Sequence, residues 1–325
     1  MINTETTYLG IKLRNPLIVS SSGLSSSIDK IKQMEENGAG AVVLKSLFEE
    51  QINYDAGTLA KGTDYPEASD YVHYYIKNNS VENYLKLIRQ AKEEVSIPVF
   101  ASINCITPDK WMEFATKIEQ AGADGLEVNV FILPMDKNAK AEKYENLYFE
   151  LAENLKKRIS IPFSFKLGPH FTNLVGFVER LNAVDVPGVV LFNRFYEPDI
   201  DTENLSFTSA EVFSSPSDIR HSLRWVGIIS SKVEKIDIAA STGVHDGQGV
   251  VKQLLAGAEA VQVCSTLYKN GFGQLKDIRK DLMDWMQKHS FDTIEEFRGK
   301  LSYKKLENPL IYERSQFMRY FSSIQ

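Results

Sequence analysis

The chain of 325 residues predicts an α/β fold, a (β/α)8 TIM barrel with an N-terminal β-hairpin and long βα loops at its C-terminal face. Three observations carry this expectation. Eight short apolar runs rich in β-branched residues follow one another along the chain, and near-continuous apolarity over so few residues marks strands buried on both faces. Amphipathic stretches of helical length separate them. A junction of helix, small-residue stop and strand recurs as ENGAGAVVL, EQAGADGLEV and LAGAEAVQV, and such alternation argues a closed parallel barrel. A doubly wound open sheet is the alternative, but no G-x-G-x-x-G follows the first run. A barrel of this kind can use the whole length, so a single domain over residues 1–325 is expected.

The opening segment TTYLGIKLRNP alternates around Gly10 and reads as a small β-hairpin covering the face opposite the long loops. The eight runs are Pro16–Ser22, Ala41–Ser46, Pro98–Ile103, Gly125–Val130, Pro162–Leu167, Gly188–Phe192, Asp237–Ser241 and Ala260–Cys264. Ser27–Asn37 opens with a serine cap and sets Ile28, Ile31 and Met34 on one stripe. Ser80–Val95 places Val81, Tyr84, Leu85, Ile88 and Ala91 at helical spacing. Thr107-Pro108-Asp109 starts a third helix, with proline at its first position. Lys143–Arg158, Asn173–Ala183, Arg220–Lys235, Gln248–Ala256 and Gln274–His289 complete the set. Helix-to-strand links are short. The strand-to-helix links Leu47–Asn79, Phe131–Glu142 and Asn193–Ile219 are long, and in a barrel they gather at the face where active sites form. The first is long enough to be a substrate lid.

Composition narrows the function. Hydrophobic residues make up 43% and charged residues 25%, an ordinary globular balance that argues against disorder. A net charge of −6 argues against a nucleic-acid surface. Two cysteines are too few for a disulfide framework, so a reducing, cytoplasmic setting is expected. The N-terminus has no basic and apolar leader pattern, and no run approaches the ~20 apolar residues of a membrane span. The five histidines show no metal-ligand spacing. The expected partner is a small molecule, with no nucleic acid, no membrane and no metal.

Polar residues sit at the strand ends facing that mouth: Lys45, Asn104, Asn129, Lys166 and Asn193. A lysine in a short apolar run is costly unless it is paired with a carboxylate or meets an anionic ligand. Asn104 reads as a turn residue. The last two runs end in Ser241-Thr242-Gly243 and Cys264-Ser265-Thr266, each followed by a helix start. Small residues there describe either ordinary turns with caps or the phosphate cradle of many barrels. Cys264 reads as a small core residue; Cys105 invites a nucleophile reading, with no histidine poised beside it.

The whole pattern resembles the dihydroorotate dehydrogenase family, especially its soluble class 1 members, to about Ser302. The carrying motifs are YLGIKLRNPLIVSSSGLS, VVLKS, EVNV, FSFKLGP, LFN and STGVHDGQGVVKQLLAGAEAVQVCSTLYKNG. The resemblance implies FMN bound across the C-terminal face and oxidation of dihydroorotate or a related small ring. It implies that Lys45 and Lys166 contact the flavin, with Asn129 and Asn193 facing the ring and a planar substrate. It places the phosphate on Thr242-Gly243 and Ser265-Thr266, and Ser20, Ser21, Ser22 and Gly23 beneath the ring. A homodimer fits the same resemblance. The chain also departs from the family. Ile132, or Leu133 in a register shifted by one, stands where the family carries its catalytic cysteine, and an alkyl side chain takes no proton. Arg194 replaces a family polar residue, the Met-Gly-x-x-Asn motif is missing from the second loop, and Leu223-Arg224-Trp225 stands for a glycine pair. Two other readings stay open: a flavin-binding homologue serving a regulatory role, and a flavin-free enzyme using Lys45 or Lys166 as a Schiff base.

Overall fold

The computed structural model describes residues 2–48, 81–105, 112–130, 132–195, 197–209, 211–307 and 312. The hairpin comes first, as β1 (Thr6–Tyr8) antiparallel to β2 (Ile11–Leu13). The barrel then runs β3 (Leu17–Val19), α1 (Ile28–Glu36), β4 (Ala41–Val43), a short β5 (Leu47–Phe48), α2 (Val81–Glu94), β6 (Val99–Cys105), α3 (Met112–Gln120) and β7 (Gly125–Val130). It continues through α4 (Ala141–Arg158), β8 (Phe163–Leu167), α5 (Leu174–Ala183) and β9 (Gly188–Leu191). An excursion of β10 (Pro198–Asp201) and β11 (Ser206–Ser209) follows, then α6 (Ile219–Lys232), β12 (Asp237–Ala240), α7 (Gly247–Ala256), β13 (Ala260–Val263), α8 (Ser265–Asn270) and α9 (Gln274–Lys288). Parallel pairing of β13 with β3 and of β4 with β6 closes an eight-stranded barrel in the order β3-β4-β6-β7-β8-β9-β12-β13. All eight expected runs carry a barrel strand. The lid expected over Leu47–Asn79 falls outside the described residues beyond Phe48, as does the helix start expected at Thr107-Pro108-Asp109. The side chain of Cys105 is likewise outside them.

Alternation within each strand sorts the core into two layers. Leu17, Val19, Leu126, Val128, Phe163, Phe165, Val189, Leu191, Val261 and Val263 pack outward against the helices. Ile18, Ala41, Val43, Phe100, Val190, Ala239 and Ala260 pack together inside, with Tyr8, Leu9 and Leu13 of the hairpin. The hairpin is therefore the floor of the barrel, as the sequence pattern suggests. Above that floor the interior changes character: the next inward residues are Ser20, Ser102, Glu127, Asn129, Ser164, Lys166 and Gln262, all buried. Polarity at the C-terminal half of the interior is what directs a ligand to that end.

Two carboxyls stitch the floor in place. Asp237 accepts the Leu9 N–H at 2.6 Å, and Glu259 accepts the Ile238 N–H at 2.7 Å while its carbonyl takes the Thr6 hydroxyl. Burial pushes the Glu259 carboxyl up to about 7, with Asp237 adding to the rise and Arg298 opposing it. A carboxyl whose folded value lies above its unfolded one favours folding in its protonated form. Its contribution is therefore fully present below about 4.5 and is lost as pH rises toward about 7. Glu259→Gln keeps an acceptor and removes the charge, so it should stabilise the protein at pH 8 by about 1–3 kcal/mol and hardly at all at pH 4.5. Denaturant midpoints of both proteins at the two pH values check this; a gain of equal size at both would contradict it.

The segment Asn193–Ile219 is more than a loop. β10 and β11 form an antiparallel hairpin turned by Asp201, whose carboxylate takes the backbone N–H groups of Glu203 and Asn204. The cross-strand pair Ile200 and Phe207 is solvent-facing. With neither face buried, no strand-like alternation marks this hairpin in the sequence. Among the described residues no helix is long and apolar enough to cross a membrane.

Candidate active site at the barrel mouth

Lys166 is the penultimate residue of β8 and is 5% exposed. Its ammonium donates to Ser20 Oγ at 3.0 Å, Glu127 Oε1 at 3.2 Å and Gln262 Oε1 at 2.8 Å. Gln262 in turn donates from Nε2 to Glu127 Oε2 and accepts from Ser20 Oγ. Four side chains from β7, β8, β13 and the turn after β3 thus form one closed buried network. The lysine is paired with a carboxylate, as one of the two sequence readings expects, and it also walls the mouth cavity. Glu127 and Gln262 were not singled out from the sequence, although GLEVNV and AVQVC each put a polar residue inside an apolar run.

A second network lies beside it. Ser21 Oγ and Ser46 Oγ are 3.0 Å apart, and Ser46 Oγ and Ser102 Oγ 2.8 Å. Asn129 donates from Nδ2 to Ser46 and Ser102 at 3.3 and 3.2 Å. Its Oδ1 is buried and has no partner among the described residues. A buried acceptor left unsatisfied costs about 1–3 kcal/mol, which a ligand N–H would recover.

A cavity of about 380 Å3 opens over the first network. Ser20, Ser21, Lys166, Asn193, Thr242, Gly243 and Ser265 line it, so the structure brings together most of the residues expected from sequence. Ser22, Gly23, Lys45, Asn129 and Thr266 are not on its wall. Ser22 caps the short turn Gly23–Ser25 by accepting the Leu24 N–H, and Gly23 lies against Tyr268, which does line the cavity. Lys45 is half-buried just beyond β4. Thr266 is fully buried and its hydroxyl is committed to the His245 carbonyl at 2.9 Å. Its backbone N–H is then the group it could offer an anion. Cys264, expected in the core, lines the cavity. Burial pushes its thiol up, so it is no thiolate nucleophile.

The far end of the cavity is built by a segment the sequence reading overlooked. Ser214 donates from N and Oγ to Ser265 Oγ, both at 3.0 Å, and its carbonyl takes the Lys269 ammonium at 3.1 Å. Arg194 donates to the Glu211 and Val212 carbonyls, each at 2.7 Å, tying that segment to the start of the loop after β9. Leu223-Arg224-Trp225 lies mid-way along α6 and does not reach the cavity, whereas Val212, Phe213 and Ser214 line it. The expected loss of a glycine pair at 223–225 is therefore misplaced: a helix interior has no call for the backbone freedom that a glycine pair provides.

Thr242 and Gly243 both have positive φ, 76° and 79°, and the Thr242 hydroxyl donates to the Phe192 carbonyl. A second cavity of about 580 Å3 shares Asn193, Arg194, Ser241 and Thr242 with the first. Its walls add Leu133, Phe192, Phe195, His170 and His221. Ile132 faces a third cavity, of about 300 Å3, with His170 again on its wall. Burial, His170 and Arg224 hold His221 below the usual imidazole range.

A closed parallel barrel with a buried lysine network and adjoining cavities at its C-terminal mouth defines a small-molecule-binding α/β-barrel protein. A sequence model described as dihydroorotate dehydrogenase matches residues 3–286. The chain belongs to that family. The catalytic subunit of dihydroorotate dehydrogenase B (NAD(+)) from Thermoplasma volcanium is 27% identical over 305 residues, covering 92% of this chain and 98% of the relative. The subunit of the same name from Methanocaldococcus jannaschii is 24% identical, over 91% and 97%. The chloroplastic dihydropyrimidine dehydrogenase (NADP(+)) of Arabidopsis thaliana is 24% identical, over 91% and 76%.

Proposed function

We propose that the chain is an FMN-dependent oxidoreductase that desaturates dihydroorotate or a related 5,6-dihydropyrimidine. The observation that carries this reading is the pairing of Lys166 on the cavity wall with the orphaned acceptor of Asn129 beside it. Both a flavin and a dihydropyrimidine present an imide edge whose N–H suits such an acceptor. Lys166 supplies positive charge where a reduced flavin gathers negative charge. Lys45, Asn129 and Asn193 border the ring and the substrate. The turn Ser20–Gly23 lies beneath the ring. Thr242-Gly243 and Ser265, with the backbone of Thr266, hold the phosphate, helped by the nearby Lys269. FMN, when bound, would supply a two-electron acceptor; the chain's own residues would orient the two rings and stabilise the charge. The relatives are named as NAD(+)-linked catalytic subunits, so on this reading a second subunit carries electrons onward, and a homodimer of this chain is compatible with it.

The test is anaerobic mixing of FMN-loaded protein with dihydroorotate and, separately, with dihydrouracil, while the flavin absorbance is followed. Bleaching by either supports the reading. A protein that cannot be loaded with FMN, or a loaded flavin that neither compound reduces, would overturn it.

A further inference from the structure

Residues Ile132-Leu133-Pro134 carry no group that takes a proton, yet desaturating a C–C bond requires one to be taken. Besides the Arg194 cation, four titratable side chains among the described residues wall the second cavity: His170, Glu197, Asp218 and His221. Asp218 is committed to the N–H and hydroxyl of Ser215. His221 leans on Phe192 with ring centroids 5.1 Å apart. His170 alone of the four also walls the third cavity. It therefore borders the 132–134 loop on both sides, beside Leu133 in one cavity and Ile132 in the other. Its ring is held parallel to Phe195, at 6.0 Å and 11°. Phe195 itself lies over Gly168, where a Cβ would meet the phenyl ring at 2.6 Å. Gly168-Pro169-His170 thus delivers the imidazole on a braced backbone. Both ring nitrogens lie in the ring plane, so stacking leaves them at its edge, accessible to a ligand in the cavity.

We propose that His170 is the proton acceptor of this protein, facing the C5 edge of a dihydropyrimidine held against the flavin; this rests on the oxidoreductase reading above. The C5–H bond breaks with its proton passing to an imidazole nitrogen. Its electron pair becomes the second bond of C5=C6, and the C6 hydrogen leaves as hydride to the flavin, which takes up two electrons. The imidazolium then returns its proton to water. Asn193 lines both the first and the second cavity, and His170 lines the second, so Asn193 and His170 wall the same space. Charged groups face His170 from each neighbouring element: Arg194 and Glu197, Asp218 and His221, and across the third cavity Asp136 and Glu145.

The experiment compares native protein, His170→Asn and His170→Asn/Leu133→Cys, all FMN-loaded. General-base catalysis contributes ~10²–10⁴-fold, so His170→Asn should slow flavin reduction at least 100-fold and abolish the acidic limb of its pH profile. Orotate affinity, read from the flavin spectrum, should change less than about threefold, because the base adds little to ground-state binding. The added thiol should restore part of the rate with the limb moved to higher pH. An unchanged rate in His170→Asn would overturn the proposal. So would a loss of orotate affinity as large as the loss of rate, which would make His170 a binding contact only. If neither dihydroorotate nor dihydrouracil bleaches the native protein, the reaction assignment fails; NMR of the His170 ring during orotate addition then decides its placement. Resonances that do not move would overturn the placement, and resonances that shift would uphold it.

Discussion

Lys166→Ala should cost the protein about 3–5 kcal/mol of stability, even without any cofactor. The substitution removes the cation that faces Glu127 at 3.2 Å, where the two side chains are 6% and 2% exposed. Breaking one half of a buried pair leaves the other charge uncompensated, and that cost exceeds the net worth of the pair. Gln262 Nε2 would be the remaining donor to the carboxylate. The double variant Lys166→Met/Glu127→Gln removes both charges and should recover most of the stability. It should not recover the flavin site, since the positive charge is still gone; a charge-assisted hydrogen bond is worth ~1.5–3 kcal/mol. Urea unfolding together with FMN retention on gel filtration separates the two effects. A single variant as stable as native would show that Glu127 is protonated or solvated in the barrel. A double variant that holds FMN and is reduced normally would remove Lys166 from the cofactor site.

Gly243→Ala should be the most damaging single-methyl addition at the mouth. At φ 79° an L side chain is strained, and the added Cβ would lie 2.1 Å from the Ile219 nitrogen and 2.7 Å from the Asp218 carbonyl carbon. These are backbone atoms at the start of α6 and cannot rotate away. Strain of ~1–3 kcal/mol and overpacking of ~1–3 kcal/mol combine to about 2–6 kcal/mol. Gly271→Ala is the control: its φ is 77° but nothing lies within 4 Å of the new Cβ. That variant should lose only the strain, about 1 kcal/mol, and keep its FMN affinity. Gly243→Ala should weaken FMN at least tenfold by fluorescence titration, because the Thr242-Gly243 turn must move. Equal losses in the two variants would mean that the contact with α6 is relieved without cost.

The barrel was legible because its strands are buried on both faces and its helices on one, which writes two different periods into the sequence. Within the site, legibility followed contrast. Lys166 stands out in FSFKL because a charge inside an apolar run demands an explanation. Glu127 obeys the same rule in GLEVNV without being singled out, and its partner Gln262 is uncharged. Ser214 gave no signal, since a serine in a polar loop is common and only the fold carries it to Ser265. The β10–β11 hairpin was missed for the opposite reason: Ile200 and Phe207 face solvent, so no burial pattern distinguishes strand from loop. The misplaced glycine pair shows how an alignment by motif slips across a segment whose length is free to vary.

The closed network of Ser20, Glu127, Lys166 and Gln262 has a consequence for how this scaffold can change. Each member comes from a different barrel segment, so any one of them fixes the stagger of its segment against the others while it shapes the ligand site. A substitution there alters cofactor chemistry and barrel closure together, and few such changes survive selection. Residues 132–134, 194–195 and 212–214 sit on connections whose ends are anchored elsewhere, and they can be exchanged without unstitching the cylinder. New substrates are therefore reached through the rim, with the centre inherited intact. A library randomised at those three segments should retain a far larger folded fraction than one of equal size aimed at the four interior positions.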